Sequence, residues 1–431
     1  MKSLFRSGIV LLAVASAAVQ AAAPGVSKDE IVLGQSAAFS GPAQELGKAM
    51  REGALAYFDE VNRRGGVHGR KIRLVSLDDG YEPDRAVPNT QRLIEQDKVF
   101  ALFGYVGTPT AYAVIPVVTQ AKVPFFGAFT GAEGLRSPFN RYIFNVRASY
   151  FDETERLVDW MVSEGKPRIA VFYQDDSYGR AGLEGVKRAM DRRGLPIVAL
   201  GTVKRNTVEV ADAVKTIAKT DPDAVIMISA YKSCAAFIKD MNRAGTRADF
   251  LNVSFVGSKA LADELGAEGH GVIISQVVPY PLDPNSSVAM ELRTLFLQHA
   301  PGSKPSFNNL EGFIAAKALV EGLNRAGPEL TREGLVRALE TFQNVDLGGF
   351  RLTFSPTNHN GSSFVGLTVV LGGSGSFLPL ESSFNQVGLR QRAVGSRTGS
   401  GIAAAGDDRT RRVSSPDDAA KPPAATRAVG R

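Results

Sequence analysis

The sequence holds one cysteine, Cys234, and four histidines, at positions 68, 270, 299 and 359. A lone thiol excludes an intramolecular disulfide and any cysteine-built zinc or iron–sulfur site. No two histidines fall within one helical turn, so an HExxH-type metal site is excluded too. There is no GxSxG, which removes an esterase-type nucleophile elbow, and no GxxxxGK[ST], which removes a Walker-type phosphate loop. Past the N-terminus, no apolar run approaches the roughly 20 residues that span a bilayer. Basic charge is scarce where a nucleic-acid footprint would need it. Of the formal net +6, +2 falls on the first 23 residues and +5 on residues 388–431, which leaves −1 for residues 24–387. A pI of about 9.3 therefore describes the two ends of the chain and gives no support to nucleic-acid binding.

What is present begins with an export signal over residues 1–23. A basic Met1–Arg6 precedes an eleven-residue apolar run, Gly8–Ala18, and then the small residues of VQAAAP. This order matches a cleaved secretory signal, with cutting expected near Ala21–Ala22. A short uncut anchor is the alternative. No cysteine follows the signal for lipid attachment. The mature protein is expected outside the cytoplasmic membrane, in the periplasm of a Gram-negative cell.

The 431 residues suffice for two or three domains, and 44% apolar content suits a globular chain. Short apolar runs alternate with helical periodicity. Strands are expected at Ile31–Ala37, Lys71–Leu77, Phe100–Gly104 and Val123–Gly127, with helices at Ala43–Arg64, Arg85–Gln96 and Thr110–Gln120 between them. The rhythm restarts beyond Arg147. Helices are expected at Glu153–Ser163, Ala181–Arg193, Val208–Lys219 and Cys234–Ala244. Strands are expected at Arg168–Tyr173, Ile197–Thr202, Ala224–Ser229, Asn252–Val256 and Gly271–Val277. Two such sets predict two α/β lobes with parallel sheets covered on both faces. PYPLDP at 279–284 ends the second set. Three helices follow, and Phe350–Phe354 with Phe364–Val370 reads as a terminal hairpin. Beyond about residue 379 the periodicity disappears, and 388–431 reads as a disordered basic tail whose deletion should leave ligand affinity unchanged.

In parallel sheets, ligands sit beyond the C-terminal strand ends. Three loops of the first lobe fall there: AFSGP at 38–42, GYVGTPT at 104–110 and GAFTGAEG at 127–134. Their hydroxyls and free N–H groups suit a carboxylate or other anion; tight-turn formation alone is the plainer reading. GYVGTPT lacks the GxGxxG arrangement. Asp78-Asp79 reads as a capping or hinge-side pair. In the second lobe, QDDSYG can bring Asp175, Asp176 or Tyr178 to the cleft. Tyr231 can lay a ring against a ligand or simply pack, and Ser258 and Lys259 follow a strand where polar anchors belong. Cys234 reads as a buried helix residue. No nucleophile–base set emerges, no cofactor or metal is implied, and the pattern suits recognition by closure.

These loops carry a resemblance. FSGPAQELGKAMREGALAYFDEVNRRGG at 39–66, DDGYEP at 78–83, GYVGTPT, VFYQDDSYG at 171–179, LNVSFVG at 251–257 and GGFRLTFSP at 348–356 resemble the solute-binding proteins of branched-chain amino acid ABC transporters. That is the Leu/Ile/Val-binding type, and the likeness runs from about residue 29 to 378. It implies a class I periplasmic-binding-protein fold: α/β, two Rossmann-like lobes joined by three crossovers around a ligand cleft. Lobe 1 would comprise 28–145 plus 280–346, and lobe 2 would comprise 146–279 plus 347–378. It further implies a receptor that delivers a small amino acid or related solute to ABC permease subunits without itself spanning the membrane. A ligand sensor for a signalling partner is the alternative, and an enzyme acting on an organic acid or amide a more distant one. By carry-over, Gly107, Thr108, Thr130 and Ala132 would grip a ligand carboxylate, while Tyr231 and the position of Lys259 would hold an ammonium. Lys259 stands where the family has an acid, a serine usual at Gly107 is missing, and the family's cysteine pair maps to Tyr81 and Val106. The departures point to a carboxylate-bearing or amide solute, with either Lys259 facing a second negative or carbonyl group, or Lys259 reaching solvent while Asp175 or Asp176 supplies the acid.

Overall fold

The computed structural model describes residues 23–299, 302, 304–372 and 375–380. The export signal up to residue 22 and the tail at 388–431 lie outside them.

The first sheet is built from β1 (Glu30–Ala37), β2 (Lys71–Asp78), β3 (Ala101–Phe103), β4 (Phe125–Phe126) and β5 (Ile143–Phe144). The helices α1 (Gln44–Arg63), α2 (Pro83–Glu95) and α3 (Thr108–Ala121) connect the first four. All pairs are parallel, in the order β2-β1-β3-β4-β5. A capping box then opens α4 (Tyr150–Ser163): the Ser149 side chain accepts from Asp152 N, and the Asp152 carboxylate accepts from Ser149 N. This Ser-x-x-Asp signal sets the helix start three residues before the apolar periodicity does.

The second set runs β6 (Ile169–Gln174), α5 (Ser177–Asp191), β7 (Leu200–Val203), α6 (Ala211–Ala218), β8 (Ala224–Ile228), α7 (Tyr231–Arg243), β9 (Asp249–Asn252), α8 (Ser258–Leu265) and β10 (Ile273–Gln276). Its parallel part has the order β7-β6-β8-β9-β10, the same winding as the first sheet. After β10 the chain returns: α9 (Ser287–His299) and α10 (Phe307–Ala326) pack on α1, and α11 (Arg332–Leu339) packs on α10. A small hairpin, β11 (Val345–Asp346) with β12 (Arg351–Leu352), precedes β13 (Gly366–Leu371) and β14 (Ser376–Pro379). These last two add antiparallel to β10 at the edge of the second sheet.

Two expectations are corrected here. Phe350–Phe354 does not pair with Phe364–Val370; the turn at Gly348-Gly349, with φ of 102° and 94°, folds 351–352 back on 345–346 instead. The strand expected over Asn252–Val256 ends at Asn252, and Ser254–Val256 is a 3-10 turn that carries Phe255 out of the sheet.

The chain passes between the sheets three times, near residues 145–149, 277–286 and 353–365. The first and third passages run side by side, with Asn145 N donating to His359 O at 2.9 Å and Gly361 N donating to Asn145 O at 2.8 Å. Apolar strand residues of both sheets are buried, including Ile31, Leu33, Val171 and Ile226. The α1–α10 contact is closer than side chains permit. A Cβ on Gly312 would lie 2.1 Å from Met50 O, and one on Gly53 would lie 1.8 Å from Asn309 O. Gly312→Ala should therefore destabilise the fold by about 1–3 kcal/mol as backbone is forced apart. Urea unfolding at constant slope measures this, and an unshifted midpoint would refute it.

Candidate functional site

Strand order reverses at β1 in the first sheet and at β6 in the second, so each has a crevice at its C-terminal edge there. The flanking loops are 38–42 and 104–108 in one half, and 174–178 and 229–231 in the other.

The first of these loops is organised by Asp78. Its Oδ1 accepts from Phe39 N at 2.8 Å, Ser40 N at 3.1 Å and Gly80 N at 3.0 Å, and its Oδ2 meets Arg85 at 2.8 Å. Partial burial opposes ionisation, but bonds from Ser40, Phe39, Gly80 and Arg85 outweigh it and hold the carboxyl well below its ordinary range. Asp79 is fully buried, accepting from Ser36 Oγ at 2.7 Å and Tyr81 N at 2.8 Å; burial pushes its pKa up to about 6.

Gly107 starts α3 with φ 106°, and a Cβ there would lie 2.2 Å from Tyr81 Cε2, so only glycine lets the tyrosine ring close over the loop. Thr108, the first residue of α3, and Thr130 are both fully buried, with their hydroxyl oxygens 2.6 Å apart. Thr130 Oγ1 donates to the Tyr150 hydroxyl at 3.3 Å and accepts from Ala132 N at 3.3 Å. Thr108 stands at the N-terminus of α3, where free backbone N–H groups and the helix dipole suit an anion, and the two hydroxyls, bonded to each other here, are donors an arriving anion could turn toward itself.

The opposite half brings aromatic rings against Tyr150, Phe129 and Tyr81, the rings that border this pair. Tyr178 lies with its centroid 5.4 Å from Tyr150 and 4.5 Å from Phe255; Phe255 lies 5.3 Å from Phe129 and 5.9 Å from Tyr81. The Tyr178 hydroxyl is buried without a partner among the described residues, and burial raises its pKa far above the ordinary value. Gln174 Nε2 donates to the Tyr81 hydroxyl at 3.2 Å and to Asp176 Oδ2 at 2.6 Å. Arg205 bridges Glu82 at 2.7 Å and Asp176 at 3.2 Å, while Asn206 donates to Glu82 at 2.7 Å. The loop after β7 is thereby clasped to the loop after β2.

The residues named from sequence are thus divided. Gly107, Thr108, Thr130 and Ala132 lie together, and Tyr178 reaches them through the Tyr150 ring. Asp176 caps α5, accepting from Tyr178 N at 2.9 Å. Tyr231 opens α7 and is buried. Ser258 is buried against Gln276, whose Nε2 donates to its Oγ at 3.0 Å. Asp175 is exposed and paired with Arg180 at 2.9 Å. Lys259 is half exposed and paired with Asp263 Oδ1 at 2.7 Å. Of the positions matched to the family's cysteine pair, Tyr81 closes over Gly107, and Val106 is buried in the core.

Sequence reasoning missed an ionic cluster beside them. Arg147, buried at the first passage between sheets, meets Glu153 of α4 at 3.1 Å and Glu311 of α10 at 3.3 Å, donates to Ser254 Oγ, and stacks 4.9 Å over the Phe129 ring. Glu153 Oε2 also accepts from Ser254 N at 2.7 Å and Ser275 Oγ at 2.6 Å. A charged residue inside the apolar run IFNVRAS was the available signal, because a buried guanidinium demands carboxylates. Burial, reinforced by Glu153 and opposed by Arg147, pushes Glu311 up from 4.5 to about 7. Between those values the folded chain keeps a proton that the unfolded chain has lost, so this group lowers stability as pH rises through the window. Glu311→Gln should flatten the fall in Tm between about pH 4.5 and 7; an unchanged profile would show that Glu311 does not titrate there.

Two like-wound parallel sheets, with their C-terminal loops meeting around a buried donor pair, define a cleft-forming protein of the class I periplasmic binding fold. Comparison with known proteins agrees. The profile of the periplasmic binding protein family matches residues 30–374. Leu/Ile/Val-binding protein homolog 7 of Brucella abortus is 26% identical over 329 residues, covering 73% of this chain and 82% of its own. The crystal structure of a possible leucine/isoleucine/valine-binding protein from Rhodopirellula baltica superposes with a TM-score of 0.78 at 38% identity, covering 82% of this chain and 96% of that one. A branched-chain amino acid ABC transporter protein from Thermus thermophilus with bound valine shares the fold at TM-score 0.75 and 20% identity, covering 82% and 96%. The chain belongs to the periplasmic binding protein family, whose members bind solutes and are not an enzyme family. Among the described residues no helix is long and apolar enough to cross a membrane.

Proposed function

We propose that this chain is the extracytoplasmic receptor of an ABC importer. It takes a small amino-acid-related carboxylate or amide into the cleft between lobe 1 (28–145 plus 280–346) and lobe 2 (146–279 plus 347–378). The lobes close, and the closed form delivers the solute to permease subunits; no covalent step is involved. The observation that carries this reading is the Thr108–Thr130 hydroxyl pair, buried at the start of α3 beside Tyr150 and Phe129, on which Tyr178 and Phe255 of the other half pack. In this reading Gly107 and Ala132 contribute from lobe 1, and Tyr231, Ser258 and Asp176 from lobe 2. The valine bound by the Thermus relative, and the Leu/Ile/Val-binding names of the others, support a carboxylate at this end of the ligand. The lobe-to-lobe clasp of Arg205 and Asn206 on Glu82 supports closure as the binding motion. A thermal-shift screen of amino acids, organic acids and their amides tests the reading. At a hundredfold excess over Kd, a true ligand stabilises by about 2.7 kcal/mol. A screen in which no small solute raises Tm would sink it, and steady conversion of a bound solute would turn it toward catalysis.

A further inference from the structure

The two halves hold each other directly, through side chains outside the threonine pair. Arg205, in the loop after β7, sets one guanidinium on a carboxylate from each half. Its Nη2 donates to Glu82 Oε2 at 2.7 Å, and its Nη1 donates to Asp176 Oδ2 at 3.2 Å. Asn206 Nδ2 donates to Glu82 Oε1 at 2.7 Å and to Gly80 O at 3.2 Å. Beside them Gln174 Nε2 donates to the Tyr81 hydroxyl at 3.2 Å, and the Arg205 guanidinium lies 6.0 Å from the centre of the Tyr81 ring. Four of these five hydrogen bonds cross from the second half to the first, and both oxygens of Glu82 are taken.

The place of this clasp gives it leverage. The three passages between the sheets adjoin β5 in the first sheet and β10 and β13 in the second, whereas the clasped loops follow β2 and β7, the opposite edge strands. β2 stands four strand spacings from β5, about 19 Å. A rotation of about 10° about the passages therefore parts the clasp by about 3 Å and breaks its hydrogen bonds. Arg205 also removes an obstacle to closing. Glu82 and Asp176 come from opposite halves and share its guanidinium; without it, closing would bring two carboxylates together. The Arg205 side chain is 23% exposed, so the bridge is shielded better than an ordinary surface pair.

We propose that Arg205 and Asn206 form a latch that populates the closed form through the protein's own contacts, so that affinity for every solute is scaled by residues that grip none of them. Affinity for a solute held only in the closed form follows the fraction of the chain that is closed. The effect on affinity rests on the solute-binding reading; the latch itself is tested without a solute.

Spin labels on Gln91→Cys of α2 and Glu184→Cys of α5 report the separation of the halves on the full chain. Both positions are exposed, and the native Cys234 is fully buried and escapes labelling. Without any solute, Arg205→Met should shift the distance distribution toward longer separations, and Arg205→Lys should shift it less. By calorimetry, Arg205→Met should weaken every acid and amide that the thermal-shift screen returns, by one common factor of at least about fivefold. A distance distribution indifferent to Arg205→Met overturns the latch. So does a loss of affinity that varies with the charge of the solute, because Arg205 would then be gripping the solute itself. If the distances shift and the whole screen is silent, the latch stands and the receptor reading falls; if solutes bind and the distances stay fixed, the receptor reading stands and the latch falls. Should Arg205→Met fail to fold, Asn206→Ala, which removes two of the crossing bonds, is read by the same distances.

Discussion

Thr108→Val is expected to weaken binding of the carboxylate solute by about 5- to 150-fold, the equivalent of roughly 1–3 kcal/mol. The size follows from the site's economy of donors. The Thr108 and Thr130 hydroxyls are 2.6 Å apart and both fully buried, so neither can be replaced by water when one is removed. Thr130→Val should cost at least as much, because Thr130 also contacts the Tyr150 hydroxyl and the Ala132 N–H. Thr108→Ser keeps the hydroxyl and should retain most of the affinity. Valine keeps threonine's shape but leaves the facing buried hydroxyl unpaired, so Tm without ligand should fall as well, and calorimetric Kd on the folded variant, set against Thr108→Ser, reads the binding role apart from that cost. Valine variants that bind as tightly as the parent would remove the anion-binding role from this pair.

Arg147→Met should be the most destabilising single change, at about 3–5 kcal/mol. It strands the buried carboxylates of Glu153 and Glu311, which the guanidinium meets at 3.1 and 3.3 Å. Glu153 retains bonds from Ser254 N and Ser275 Oγ, whereas Glu311 has burial against it and would take up a proton. Combining Arg147→Met with Glu311→Gln should therefore recover part of the loss, a coupling that a double-mutant cycle reads directly. Arg147 joins α4 of one half to α10 of the other, so the single variant should also blur the unfolding transition. A loss below about 1 kcal/mol would mean that the cluster is not held as a buried ionic unit.

Much of the fold was legible because its signals are local. Apolar runs of strand length alternate with helical periodicity, and Gly65-Gly66 closes α1 where the pattern says it should. The errors fell where long-range contacts overrule local pattern. Asn252–Val256 is apolar enough for a strand, yet Phe255 is drawn into an aromatic cluster with Tyr178, Phe129 and Tyr81, and the strand stops short. Phe350–Phe354 and Phe364–Val370 looked like neighbours, but the two segments join different sheets.

The site divides in the same way. Loops at strand ends announce themselves by composition, which is how the loops at 104–110, 127–134 and 174–179 could be named beforehand; Thr108 and Thr130 within them came from the family resemblance. Residues whose role depends on a partner far along the chain could not be. Arg147 needs Glu311, Tyr81 needs Gln174, and Glu82 needs Arg205. Lys259 and Asp175 were placed by their position after a strand; their side chains form exposed ion pairs with Asp263 and Arg180.

By itself the sequence determined the α/β class, the two wound halves and the loops that could receive an anion, because period, turn chemistry and composition act over a few residues. Only the tertiary structure decided which hydroxyls meet and which charges are buried together. Those outcomes depend on close packing between segments far apart in the chain.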